Sequence, residues 1–170
     1  MPNHVEQQLA EDFMSQVLRP YKVDYVRKAT IQHPAEGPSP LEKVVIKGEL
    51  SIDEPVYIQD TGHFNAVEFT MCYNMLVYML IGHCVSNGLI DELRHVDYDE
   101  FMKRQLSDVL IVELGQRFRS PITSALFFGE VAITEVFRKN TNVFMRTRAK
   151  FSNGATGYAD GEILLVFINN

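Results

Sequence analysis

The chain has 170 residues, 46% hydrophobic and 22% charged, with a formal net charge of -6, enough for one domain, residues 1–170, with a real core. The acidic balance gives a nucleic-acid partner little support, and the polar, acidic start MPNHVEQQLAED does not read as a signal peptide. Cys72 and Cys84 fall on one predicted helix about 18 Å apart by helical rise, far beyond disulfide reach, so both are expected reduced in a cytoplasmic protein.

In chain order, Val5, Leu9, Phe13 and Val17 have helical spacing, which predicts a helix over 5–18 that Pro20 stops. Tyr21 to Ile31 reads as a strand, HPAEGPSP (33–40) as a loop, and Lys43 to Leu50 as a second strand with Val44, Ile46 and Gly48 on one face. Next comes YIQDTGHFNAVEFTMCYN (57–74), read as a strand ending at Tyr57 and a joint that opens a long apolar helix. Asn65 and Glu68 have capping-box spacing, which places the helix start at Asn65 and its stop near Asn87-Gly88. Asn65, Glu68, Asn74 and His83 interrupt the apolar run, which favours a buried central helix over a membrane span. A short helix is expected over Tyr98–Arg104. The period then changes to two, giving strand candidates Ser107–Arg119, Leu126–Arg138, Asn142–Phe151 and Thr156–Ile168, with a hairpin turn at Asn153-Gly154.

A helix apolar on nearly every side must be wrapped, and a curved antiparallel sheet of five or six strands can do that. The expected architecture is α+β, a hot-dog fold with the sheet rolled round the central helix. An exposed sheet edge in such a domain pairs readily with a second copy, so a homodimer or higher homo-oligomer is expected.

The joint carries the chemistry. Gly62 and His63 fall just outside the helix, beside free backbone N–H groups and the positive end of its dipole, where a carbonyl oxygen would be polarised. Gly62 permits close approach to the backbone and His63 exchanges a proton near neutral pH. The plainer readings stand beside these: a simple turn at Thr61-Gly62, a satisfied histidine, a pure cap at Asn65. Asn74, between Tyr73 and Met75, is expected to be buried, either networked with Tyr78 or touching substrate. Arg117 and Arg119 alternate about Phe118 and so share a face, as a carboxylate or phosphate clamp or as a solvated face. Arg146, Arg148 and Lys150 form a second basic stripe, for which a solvated face is the simpler reading. Met71, Met75 and Met79 read as core. No Cys/His cluster has ligand spacing, so no metal is expected, and no G-x-S-x-G elbow supports serine acyl transfer.

The stretch TGHFNAVE within 57–74, with RPYKV at 19–23 and RFRSP at 117–121, resembles the signature of the FcoT-like family of hot-dog proteins, and the likeness runs from Leu9 to Ile168. The resemblance implies an enzyme acting on fatty acyl thioesters carried by acyl carrier protein or CoA, with no cofactor beyond that carrier's phosphopantetheine. It implies either long-chain acyl-CoA thioester hydrolysis or addition of glycine to the β-carbon of a (2E)-enoyl thioester on acyl carrier protein. The latter step builds β-amino fatty acyl units for isonitrile lipopeptides and macrolactams. The resemblance also places Tyr57 and Tyr21 in the pocket. His63-Phe64 is similar to the His-Phe-Pro motif of hot-dog dehydratases, but Asn65 stands where proline is usual and no carboxylate sits at the helix depth of Asn74.

Glycine addition needs a carbonyl polariser, a base and a cation for the glycine carboxylate. The helix start with Gly62 and Asn65, His63 with Tyr57 or Asn74, and Arg117, Arg119 or Lys22 are the candidates. Glu68 is the only acid near the joint, and the cap accounts for it, which tilts the reading from hydrolysis to glycine addition. A third reading is a non-catalytic module that shields a carrier-bound acyl chain.

Overall fold

The computed structural model describes residues 4–34, 41 and 44–169. Seven strands, β1 (His4–Gln8), β2 (Val26–Pro34), β3 (Val45–Leu50), β4 (Val109–Ser120), β5 (Phe127–Lys139), β6 (Asn142–Ser152) and β7 (Tyr158–Phe167), form one sheet. Its order is β1-β2-β3-β5-β6-β7-β4, with every neighbouring pair antiparallel. Three helices complete the fold: α1 (Glu11–Leu18), α2 (Ala66–Ser86) and α3 (Tyr98–Asp108).

The sheet wraps α2, whose length is about 31 Å at the usual rise. Inward residues of β3, β5 and β6 alternate with outward ones, so Ile46, Val131 and Ala149 are buried between more exposed neighbours, while Ile163 to Phe167 of β7 are all buried. Two glycines set how closely the helix lies. A Cβ on Gly129 would stand 2.6 Å from Leu76, and one on Gly161 2.7 Å from Phe69. Wrapping, not a lipid bilayer, accounts for the apolarity of α2, which is long and apolar enough to cross a membrane but is largely buried inside the protein.

The wrap is uneven along α2. Around Gly82, Phe101 of α3 and Phe13 of α1 close over the helix at 3.2 and 3.5 Å from where a Cβ would stand. Near the start, Ala66 and Val67 are exposed and Thr70, Met71 and Asn74 are half-buried, a stripe at spacings of three and four that stays partly open beside Gln116 of β4.

Several expectations change. Residues 4–8 are a strand and not the start of a helix, because β1 pairs in register with β2, from His4 opposite Pro34 to Gln8 opposite Thr30; the helix begins only at Glu11. The expected Tyr21–Ile31 strand starts at Val26, where the Asp24 carboxylate accepts the Val26 N–H and turns the chain into the sheet, and it runs on to Pro34. His33 and Pro34 are therefore strand residues, while 35–40 of the expected loop and Lys43 lie outside the described residues. Tyr57 ends no strand; 51–65 is irregular. The sheet has seven strands, one more than the upper expectation. Helix α2, its cap and its stop at Asn87-Gly88 lie where expected, as do the four long strands and the buried, free Cys72 and Cys84.

Candidate active site

The helix start is built as a double lock. Asn65 Oδ1 accepts the N–H groups of Val67 (2.9 Å) and Glu68 (3.3 Å), while Glu68 Oε2 accepts the N–H of Asn65 (3.0 Å). Phe64 before the cap meets Phe69 one turn in, with ring centroids 6.1 Å apart, which is a hydrophobic staple. Phe64 also packs on Phe127 and Phe151, so the chain entering the helix is anchored in the aromatic floor of the sheet.

The residues before the cap are held by short local bonds. Gly62 has φ +75, a left-handed conformation that side chains resist; its N–H is taken by Asp60 Oδ1 at 2.8 Å, so Glu68 is not the only acid at the joint, contrary to expectation. A Cβ on Gly62 would meet nothing within 4 Å, so the glycine serves the turn's conformation. His63 Nδ1 lies 3.0 Å from the Thr61 carbonyl oxygen. A carbonyl only accepts, so Nδ1 carries the proton, and in the neutral ring the lone pair is on Nε2. His63 is exposed and lines a groove of about 430 Å³ with Phe64, Asn65, Ala66, Phe118, Arg119, Ser120 and Pro121.

The cap changes which N–H groups a ligand can reach. Those of Val67, Glu68, Asn65, Gly62 and Phe64 are all engaged. Among the described residues, the backbone N–H groups of His63 and Ala66 have no partner at this joint, and both residues line the groove. The expected row of free N–H groups thus narrows to two, backed by the helix dipole.

The expected site residues separate. Tyr57 joins His63, Gly62 and Asn65, its hydroxyl donating to Asn65 Oδ1 at 2.7 Å. Arg119 lines the groove with its guanidinium braced by Asp160 at 3.3 Å. Arg117 does not reach the groove. Register places it opposite Asp160 on the outward row of the sheet, 3.7 Å from that carboxylate. The two arginines share Asp160, as expected of one face, yet beyond the bulge between Phe118 and Ser120 only Arg119 also lines the groove. Asn74 lies about 14 Å along the helix from Asn65 by helical rise, half-buried on the open stripe. Tyr78 does not partner it, since the Tyr78 hydroxyl donates to the Val109 carbonyl at 3.4 Å. Tyr21 stands beside Tyr78 and lines a separate surface hollow with α1 and Lys22; burial, then Tyr78, pushes its hydroxyl pKa up.

Two buried polar groups back the joint. Glu68 is 1% exposed, and burial is the largest influence raising its carboxyl pKa, opposed by the cap bond. Tyr25, missed in the sequence, has a buried hydroxyl close to Glu68, Cys72, Tyr57 and the Val56 backbone. No motif marks it; only the path of the chain from Asp24 into β2 brings it under the joint. Gln116 was also missed. Its amide donates to the Ala66 carbonyl (3.2 Å) and to Thr70 Oγ1 (2.7 Å), tying β4 to the first turn of α2. The basic stripe faces outward with acidic neighbours: Arg146 pairs with Glu135 and Lys150 with Glu130, while Arg148 stands opposite Glu162. No group of three or more His, Cys, Asp or Glu among the described residues is placed to hold a metal ion.

With this geometry in view, the comparisons are informative. A relative from Streptomyces coeruleorubidus, named (2E)-enoyl-[ACP] glycyltransferase, is 33% identical over 166 residues, covering 94% of this chain and 97% of its own. Proteins of the same name from Mycobacterium marinum and Mycobacterium tuberculosis are each 31% identical, covering 95% of this chain and 88% of theirs. A solved structure from Mycobacterium tuberculosis, described as a candidate esterase, shares the fold at a TM-score of 0.50 and 13% identity, covering 82% of this chain and 92% of its own. The model of the FcoT-like thioesterase domain matches residues 16–167, and the chain belongs to that family.

Proposed function

We propose that the protein adds glycine across the double bond of a (2E)-enoyl thioester on acyl carrier protein, giving a β-(carboxymethylamino) fatty acyl thioester. The observation that carries this reading is the groove at the start of α2. It offers a histidine with a free Nε2, two free N–H groups and an arginine, while, among the described residues, the buried acid Glu68 is spent in the cap and the exposed Asp60 accepts the Gly62 N–H. The shared name of relatives that match nearly the whole chain supports it.

The thioester carbonyl oxygen sits at the N–H groups of Ala66 and His63, so electron density drawn onto it leaves the β-carbon electrophilic. Glycine arrives as the ammonium form, since an α-amino group has a pKa of about 8 or above. His63 Nε2 takes that proton and the neutral amine forms the new C–N bond. The electron pair of the C=C bond moves to the carbonyl oxygen as an enolate. The His63 imidazolium then protonates the α-carbon, so the proton count closes. Arg119 holds the glycine carboxylate. Tyr57 braces Asn65, and Asn74 contacts the acyl chain further along the stripe. The protein works in the cytoplasm as a homodimer or higher homo-oligomer, with no metal and no cofactor of its own.

The test is to supply (2E)-enoyl carrier protein with and without glycine and weigh the carrier. A gain of one glycine is expected, with alanine reacting poorly and a saturated acyl chain not at all. Release of free fatty acid from saturated and unsaturated substrates alike, with no glycine-dependent gain, makes the protein the thioesterase that its family's name describes. Binding of the acyl carrier with neither outcome makes it a shielding module.

A further inference from the structure

Gln116 uses only one end of its amide inside the protein. It stands on β4 opposite Gly161, whose missing Cβ makes room for Phe69, so it belongs to the row that faces α2. Two residues on, the same row carries Phe118, which lines the His63 groove. Gln116 Nε2 donates to the Ala66 carbonyl at 3.2 Å and to Thr70 Oγ1 at 2.7 Å, and the Thr70 hydroxyl donates to the same carbonyl at 3.0 Å. A carbonyl only accepts, so this triangle fixes which way round the amide lies: its NH2 group faces α2 and Oε1 lies behind it. Among the described residues no group donates to that Oε1, and Gln116 is half-buried beside the partly open stripe of α2.

We infer that Gln116 Oε1 is a catalytic acceptor that holds the amine of glycine against the β-carbon of the enoyl thioester. The inference rests on the glycine-addition reading above and adds to it the group that receives the glycine nitrogen.

Ala66 sets the position. Its N–H, free at the joint, receives the thioester oxygen, while its carbonyl, held by Gln116, points the other way along the helix. The β-carbon lies two bonds from the thioester carbonyl carbon, on the acyl side, and the acyl chain leaves the joint along the open stripe. The β-carbon therefore comes beside the first turn of α2, where Gln116 reaches, and well short of Asn74, two turns further on.

The chemistry asks for a neutral acceptor there. An ammonium group offers three N–H donors. His63 Nε2 takes one proton, and Gln116 Oε1 accepts a second N–H without removing it. That bond turns the lone pair left on nitrogen toward the β-carbon as the C–N bond forms, and the proton and electron count of the addition is unchanged. A carboxylate in this place would favour the charged ammonium and keep the amine protonated. An amide oxygen orients the amine without adding a charge beside it. Nor can an amide act as the base that activates water for thioester hydrolysis.

Two substitutions separate this contact from the tie to α2. Gln116→Leu keeps similar bulk and removes both, whereas Thr70→Val takes the hydroxyl out of the triangle and leaves Oε1 in place. With (2E)-enoyl carrier protein and glycine, Gln116→Leu should raise KM for glycine about tenfold or more, as loss of a hydrogen bond to a charged group does. Its affinity for the enoyl carrier, titrated without glycine, should stay within about twofold of wild type, because no bond to the thioester is lost. Thr70→Val should lower the melting temperature and keep KM for glycine within about twofold. An unchanged glycine KM in Gln116→Leu, a parallel loss of carrier affinity, or an equal rise in glycine KM in Thr70→Val would overturn the inference and leave Gln116 a brace between β4 and α2. Gln116→Glu gives a second reading should the leucine variant fail to fold by circular dichroism. Its carboxylate should move the rise of kcat to higher pH by holding the amine protonated, and an unmoved profile would overturn the contact. A wild type that binds the enoyl carrier and adds no glycine would sink the reaction and this contact together. Glycine addition by a wild type whose variants match it would sink the contact alone.

Discussion

The two ends of α2 carry a histidine each and treat it oppositely. At the start, His63 is exposed, its Nδ1 proton fixed on the Thr61 carbonyl and its Nε2 open to a groove. Near the end, His83 is 8% exposed, and its Nε2 is buried without a partner, 5.1 Å from His33 ring to ring. Burial first, then His33, pushes its pKa down to about 4. The difference follows from the cover. α1 and α3 close over the last turns, whereas the first turn is left partly open beside Gln116 of β4. A histidine is left exposed beside a groove where the wrap opens and becomes a neutral packing residue where it closes.

The sharpest way to break the comparison is to remove each histidine in turn. A general acid–base group contributes roughly 10²–10⁴-fold, so His63→Ala should lower the rate of glycine addition by that range with the melting temperature unchanged. His83→Gln should instead change stability and leave the turnover of the folded fraction within about twofold. Should the two variants exchange these effects, the catalytic reading of the helix start is wrong.

The same contrast applies to apolar residues two positions apart, on opposite sides of α2. Phe69 is fully buried against Phe64 and Phe151 and packs where Gly161 makes room. Phe69→Ala should cost about 3–5 kcal/mol in chemical denaturation. Val67, 47% exposed on the open stripe, should cost less than about 0.5 kcal/mol as Ala in the monomer. A similar cost for both would mean that the stripe is covered within the protomer.

The cover was only partly legible in the sequence. The capping box, the apolar length of α2 and the period-two segments depend on neighbours close in the chain, and these are what the structure reproduces. β1 was missed because its helical spacing is overridden by pairing with β2, a contact between residues up to thirty apart. Arg117 and Arg119 share Asp160, as their alternation suggests, but a bulge beyond Phe118 that no Gly marks leaves Arg119 alone beside the groove. Asn74 was expected buried because its neighbours Tyr73 and Met75 are, and only the missing cover along one stripe leaves it half-open. Tyr25 and Gln116 reach the joint through tertiary packing alone.

His83 also gives the closed end a pH signature. Its folded pKa lies below the usual histidine value of 6.5, at about 4, so between these values the unfolded chain binds the extra proton. Its contribution to stability is complete above pH 6.5 and is lost as pH falls toward 4, by at most about 3 kcal/mol. His83→Gln should flatten the stability profile over this window, measured by denaturant titration at several pH values. An unchanged slope would mean that His83 protonates in place.

The smallest expected change separates cap from site at the open end. Asn65 Oδ1 accepts from three donors, the N–H groups of Val67 and Glu68 and the Tyr57 hydroxyl. Tyr57 is 42% exposed, so water replaces its hydroxyl readily. Tyr57→Phe should therefore alter stability by less than about 0.5 kcal/mol, whereas Asn65→Ala, which removes the cap, should cost about 1 kcal/mol. If the Tyr57 hydroxyl also orients the incoming amine, Tyr57→Phe should lower kcat by about tenfold or more while thermal denaturation barely moves. Loss of stability in step with loss of rate would reduce Tyr57 to a brace for the cap. An unchanged kcat with unchanged stability would remove it from the site altogether, leaving His63, the two free N–H groups and Arg119 to carry the chemistry.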